Sequence, residues 1–147
     1  MKKTVGILIA FLVIYSFYQV VFMGLDRPPE WSEALTELHE GEFDETIRTA
    51  PPWMVVHVWA TWCSICKQAK PDYNVVAERF PDNVGFYHLD LDQNPEWAET
   101  YRVSDGVPTT LIFYQGQEIS RHSGRLPAGA MENWIHHTTG VHPLPDS

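Results

Sequence analysis

The sequence predicts an α/β domain, a central mixed β-sheet flanked by helices, preceded by one N-terminal transmembrane helix. Three observations point there. Residues 4–25 form an apolar run without a charged side chain. Behind it, short β-branched and aromatic runs alternate with segments of helical period, the order that builds layered α/β domains. The length, 147 residues, suits one such domain rather than two.

The apolar run comes first. As a helix its 22 residues span roughly 33 Å at ~1.5 Å per residue, against a hydrocarbon core of ~30 Å. A cleaved signal peptide would have an apolar stretch of only about 7–15 residues and a small-x-small cleavage site. This run ends in Phe22-Met23-Gly24-Leu25 instead, so an uncleaved anchor is the favoured reading and a cleaved signal the alternative. Lys2 and Lys3 precede the run and Asp26-Arg27 follow it. The positive-inside rule then keeps the N-terminus cytoplasmic and exports the rest, to the periplasmic side if the cell is bacterial. Residues 1–25 are thus the anchor, with membrane lipid as partner of residues 4–25. Residues 26–40 form a linker and N-terminal extension opened by the stiff "DRPPE" (26–30). Residues 41–140 form the domain and 141–147 a tail.

Hydrophobic content of 44% and charged content of 20% describe a globular chain. Residues 26–147 carry 8 basic and 19 acidic side chains, a balance that excludes a nucleic-acid-binding surface, which needs clustered Lys and Arg. Much of the acid lies in "EWSEALTELHEGEFDE" (30–45), read as a solvated face.

Trp31, Leu35 and Leu38 fall at helical spacing, Gly41 breaks the pattern, and 42–49 starts a short helix. "WMVVHVWA" (53–60) reads as a strand buried on both faces. From Cys63 to about Phe80 the period is helical, with Ile65, Ala69, Tyr73, Val76, Ala77 and Phe80 on one side and a kink at Pro71. "VGFYHLDL" (84–91) is a second strand. "NPEWAETY" (94–101) opens a helix with Asn94 as cap and Pro95 at the first position. Residues 109–114 and 118–123 form a hairpin about "QGQ". Residues 127–137 close the domain as a helix with Ala130, Met131, Trp134 and Ile135 inward.

Cys63 and Cys66 are the chain's two cysteines. A structural bridge between them would close too small a loop to constrain the unfolded chain much. A closed zinc site needs four ligands; His136, His137 and His142 cluster far along the sequence, so a metal reading is left with two thiolates, suited to soft Cu(I). The context favours a redox dithiol. Cys63 is placed at the first turn of a helix, where free N–H groups and the helix dipole favour a thiolate, so it is the expected nucleophile. Cys66, one turn inward, is the expected resolving thiol. The two sulfurs carry both electrons, so no cofactor and no metal are expected.

"WATWCSICK" (59–67) resembles the active-site segment of the thioredoxin superfamily. Pro71, "LDLDQNP" (89–95), "GVPTTLIFYQGQE" (106–118) and Gly124 extend the likeness over about residues 40–138. The resemblance implies a thioredoxin-like fold and thiol–disulfide oxidoreductase activity on protein substrates with disulfides. It also implies a cis bond at Pro108, which would lie beside Cys63 and, with Val107 and Trp62, receive the substrate chain. The sequence departs from the family in three places. Ser64-Ile65 separate the cysteines, His57 stands where thioredoxin has a buried Asp, and His88 stands where it has a Lys.

His57 sits six residues before Cys63 on the core strand, so it is read either as a base for Cys66 or as a core histidine with a satisfied hydrogen bond. Lys67, Thr109, Asp90 and Asp92 are read chiefly as ordinary solvated or strand residues. Trp59 and Trp62 serve either as an apolar platform for the dithiol or as packing. With no charge at Ser64 or Ile65 to stabilise the Cys63 thiolate, the domain is expected to act as an extracytoplasmic reductase. It would be recharged by a membrane electron donor, because the anchor has no cysteine. A metal-carrying module and an oxidase or isomerase of the same fold are the alternatives.

Overall fold

The structure is a computed structural model that describes residues 2–25, 30–39, 41–103 and 106–145, with side chains in the first helix described for residues 6–19. Most of the proline spacer, the side chains of the charged flanks at Lys2-Lys3 and Asp26-Arg27, and the last two residues of the tail lie outside that set. Helix α1 is Lys2–Leu25. Phe11, Leu12, Val13 and Ile14 are exposed in succession, so this turn is apolar on every side. Among the described residues no helix is long and apolar enough to cross a membrane.

The domain follows as β1 (Leu35–Glu37), α2 (Phe43–Thr49), β2 (Trp53–Trp59), α3 (Ser64–Arg79), β3 (Val84–Asp90), α4 (Pro95–Thr100), β4 (Thr109–Tyr114), β5 (Gln117–Ser123) and α5 (Ala128–Thr139). The sheet order is β1-β3-β2-β4-β5. β1, β3 and β2 run parallel, and β4 and β5 are antiparallel additions, so the sheet is mixed as expected.

Strand β2 organises the core because its side chains are buried on both faces. Met54, Val56 and Val58 join Phe43, Trp97 and Phe113 in one apolar cluster. Val55, on the opposite face of the pleat, joins Tyr73, Val76, Phe86, Met131 and Ile135 in another. The fold is therefore three-layered: α2 and α4 cover one face, α3 and α5 the other.

Three expectations are corrected. Residues 31–38 do not form a helix: Leu35–Glu37 pair with Phe86–His88 as an edge strand. Leu35 and Leu38 are buried there, so the apolar spacing was real but served a sheet contact, and pairing outweighed local period. The segment read as an extension thus supplies the sheet edge. Ile65 is half exposed and Ala130 is exposed, so neither faces the core. The acidic run is solvent-facing as read, with Glu33, Glu37, Glu42, Asp44 and Glu45 all exposed. The hairpin turn is Gln115-Gly116, with φ of 49° and 83°, the left-handed pair that a two-residue turn of the primed type requires.

Pro71 lies inside α3, which nevertheless continues to Arg79. The buried side of that helix is Cys66, Ala69, Tyr73, Val76 and Ala77. Tyr73 is fully buried, and its hydroxyl lies 2.8 Å from the Val55 carbonyl oxygen and 3.2 Å from that of Tyr87. One O–H proton is shared between two adjacent strands, which fixes the height of α3 over β2 and β3. Tyr73→Phe should cost about 1–2 kcal/mol, because two buried carbonyls lose a partner and nothing replaces it. Urea unfolding reads this as a lower midpoint at unchanged slope; an unmoved midpoint would show that the hydroxyl does not hold the helix.

Candidate functional site

The site forms where β2 passes into α3. After Trp59 the chain turns through Ala60, Thr61 and Trp62, and the Cys63 N–H donates to the Ala60 carbonyl at 3.2 Å. Cys63 has extended backbone and is the N-cap of α3, one position before the first turn in which the sequence placed it. Its sulfur accepts from the Cys66 N–H at 3.1 Å. A capping side chain normally presents oxygen to that third N–H; here sulfur takes the role. Cys63 and Cys66 are joined as a disulfide with Cα atoms 5.2 Å apart.

Both sulfur-bearing residues are buried, Cys63 slightly less so, and pack with Ala60, Trp59, Leu91 and Val107. Beside them runs the loop into β4. The Val107–Pro108 peptide is cis, as the resemblance implies. The Val107 carbonyl oxygen lies 3.6 Å from the Cys63 sulfur. The loop is braced twice. Gly124, at φ 95°, donates its N–H to the Pro108 carbonyl at 2.7 Å, and the Thr109 hydroxyl donates to the Gly106 carbonyl at 2.7 Å. Thr109 is thus an internal brace.

Trp62 stands out from the surface at 65% exposure beside the half-exposed Ile65. Its indole N–H donates to Asp92 at 3.2 Å. Asp92, read from the sequence as a solvated strand end, therefore holds the exposed ring. Asp90, given the same reading, is buried, and its carboxylate accepts from the Asp92 N–H and the Gln93 amide. Lys67 is exposed. His136 and His142 stack at 3.9 Å near the C-terminus, and among the described residues no group of three or more His, Cys, Asp or Glu comes together to hold a metal.

His57 lies under α3. Its ring stacks on Tyr73 at 4.6 Å, and Nδ1 is 2.9 Å from the Thr110 hydroxyl. His88 is its neighbour in the β2–β3 register. Burial first, and His88 second, push the His57 pKa down to about 3. Burial first, then the neighbouring Lys70 and His39, push His88 down to about 4. The direction matches the sequence reading; the size exceeds what suits a base titrating near neutrality, so both rings stay uncharged at physiological pH. Sequence reasoning missed Trp31, which stacks on His88 at 4.4 Å, and Lys70, whose ammonium sits 4.3 Å above that indole. An isolated Trp in an acidic stretch gave no signal of either contact.

The thioredoxin family model matches residues 34–137. The chain belongs to the thioredoxin family. Among similar proteins, thioredoxin from Rhodospirillum rubrum is 30% identical over 101 residues, 69% of this chain and 96% of its own. Thioredoxin from Staphylococcus aureus is 30% identical over 94 residues, 64% and 88% of the two chains. The solved structure of a thioredoxin mutant from Halobacterium salinarum superposes with a TM-score of 0.63 at 22% identity, covering 76% of this chain and 96% of that one, and supports the fold. As a thioredoxin-family protein it is a thiol–disulfide oxidoreductase, with Cys63 and Cys66 as its redox pair.

The two buried histidines give the thioredoxin domain an acid-sensitive stability. Their folded pKa values lie below the unfolded value of ~6.5, so between about pH 4 and 6.5 the unfolded chain binds more protons than the folded one. The stability present above pH 6.5 is therefore lost as pH falls through that window. For His57 alone the loss from pH 7 to pH 5 should be about 2 kcal/mol. Urea unfolding at the two pH values measures it, and the His57→Gln/His88→Gln pair should flatten the difference. Equal stability of the wild type at both pH values would contradict the burial of neutral rings.

Proposed function

We propose that the protein is a membrane-anchored, extracytoplasmic reductase of protein disulfides. The observation that carries the direction of electron flow is the surroundings of the Cys63 sulfur. It has the helix end and one N–H donor in its favour, and the negative end of the Val107 carbonyl against it. Ser64 and Ile65 bring no charge. A strongly oxidising dithiol depends on extra stabilisation of that thiolate, and this site lacks it.

The reaction follows from the placement of the groups. A substrate chain lies against Trp62, Val107 and Pro108, the apolar rim around Cys63. The Cys63 thiolate attacks one sulfur of the substrate disulfide; that bond breaks, and the departing sulfur takes a proton. Cys66 loses its proton and attacks the Cys63 sulfur of the mixed disulfide. The second substrate thiol leaves, the Cys63–Cys66 bond forms, and two electrons have passed to the substrate. A partner with thiols in the membrane must then reduce the pair again, because α1 has no cysteine.

The anchor reading rests on the sequence and on the character of α1. Residues 4–25 carry no charged side chain, and the apolar side chains described in α1 from Ile7 to Phe17 are exposed, a character that suits lipid better than water. With Lys2 and Lys3 in the cytoplasm, the domain faces outward.

Two measurements test this reading. Full-length protein in detergent should reduce insulin in the presence of a thiol donor, Cys63→Ser should abolish turnover, and Cys66→Ser should accumulate mixed disulfides. Its midpoint against glutathione should be more reducing than about −180 mV, toward the thioredoxin value of about −270 mV. A more oxidising midpoint would favour an oxidase. For topology, a reporter fused after Ser147 should be active in its exported form and silent in its cytoplasm-only form; the reverse pattern would sink the orientation.

A further inference from the structure

Trp31 is held against α3 by its chain neighbours. The Ser32 N–H donates to the Asn74 side chain at 3.1 Å, and the Asn74 amide donates to the Glu30 carbonyl at 2.8 Å. So fixed, the indole lies flat on His88, edge-on to His57 at 6.0 Å, and edge-on to Trp59 at 5.5 Å. Beneath it, His57 Nε2 and His88 Nδ1 are both buried without a hydrogen-bond partner. Such atoms are costly and need a reason. Trp59 in turn packs on the Cys63–Cys66 cluster, and Tyr73, on which His57 stacks, shares the buried side of α3 with Cys66.

We propose that Trp31 is a positioning residue for the dithiol reaction: its indole roofs the His57–His88 pair and, through Trp59, the wall behind the cysteines, so that the imidazoles stay covered while Cys66 gains and loses its proton. The inference rests on thiol–disulfide exchange at Cys63 and Cys66, but not on its direction. When a donor dithiol reduces the pair, two electrons and one proton convert the Cys63–Cys66 bond into a Cys63 thiolate and a Cys66 thiol, and the donor becomes a disulfide and loses its second proton to solvent. When a substrate disulfide is reduced, Cys66 returns that proton before its thiolate attacks Cys63. A charged imidazole under α3 would favour the Cys66 thiolate and make both steps depend on pH near neutrality; a covered, neutral pair removes that dependence. The groups facing the pair are Tyr73 and Lys70 from α3, Thr110 from β4, Glu37 from β1 and His39 just after it, with Glu30 acting on Lys70. Of these, Lys70 and His39 reinforce the effect of the roof on His88.

The test is imidazole titration by NMR on the full chain in detergent, with the midpoint potential followed over the same pH range. In the wild type the His57 and His88 rings should be silent between pH 5 and 8. In Trp31→Ala at least one should titrate there, its midpoint raised by one pH unit or more, and the plot of potential against pH should bend at that midpoint. Trp31→Phe should restore both wild-type behaviours. Trp31→Leu, a milder loss of the roof, carries the same test if Trp31→Ala does not fold. Silent rings in both reduced variants overturn the roof. A titrating ring with no bend in the potential overturns the link to the dithiol. Neither readout requires turnover, so a wild type that reduced no disulfide would count against the exchange reaction instead.

Discussion

The N-cap of α3 is the constraint on which the site depends. A helix that begins where a buried strand ends must satisfy its first N–H groups at a place with little room for water. The chain meets that need with the sulfur of Cys63, which accepts from the Cys66 N–H. The capping contact and the redox geometry are one arrangement: the residue that starts the helix is brought within bonding distance of the residue one turn in. Everything that fixes α3 on the sheet therefore fixes the dithiol. The Tyr73 hydroxyl shared between β2 and β3 sets the height of the helix, and the 2.9 Å ion pair of Arg79 with Glu132 ties its far end to α5.

Much of this was legible because it depends on strong local signals. The run from Trp53 to Ala60, short and rich in β-branched and aromatic residues, suited a strand buried on both sides, and Asn94-Pro95 and Gln115-Gly116 mark a helix start and a tight turn by their backbone preferences alone. The cysteine pair at a strand-to-helix junction pointed to redox chemistry before any likeness to a family was considered. What escaped the sequence depends on contacts between distant residues. Leu35 and Leu38 look the same on a helix as on a three-residue strand with one residue beyond it; the pairing with Phe86–His88 decides between them. Asp92 has no local reason to serve Trp62, thirty residues away. Ile65 fits the helical stripe but falls at the exposed start of α3, where no neighbouring layer covers it.

The two histidines show how a pair of substitutions alters the use of a fold. A buried carboxylate is charged unless its pKa rises; a buried imidazole is neutral unless its pKa fails to fall. By placing His57 and His88 side by side under α3, the chain trades a core that carries charge for one that excludes it. Trp31 and Lys70 both act in that direction, the first by covering the rings and the second by repelling a proton.

The sheet also ends in a way that discourages further strand pairing. Unpaired strand edges are templates for further strands, and crowding makes such pairing more frequent. Here one edge is β1, only three residues long. The other is β5, whose Glu118 and Arg121 form a short ion pair across the strand's outer positions. A neighbouring copy thus finds one edge too short to extend and one that carries charge. The domain can be crowded against its own kind without offering its backbone for aggregation.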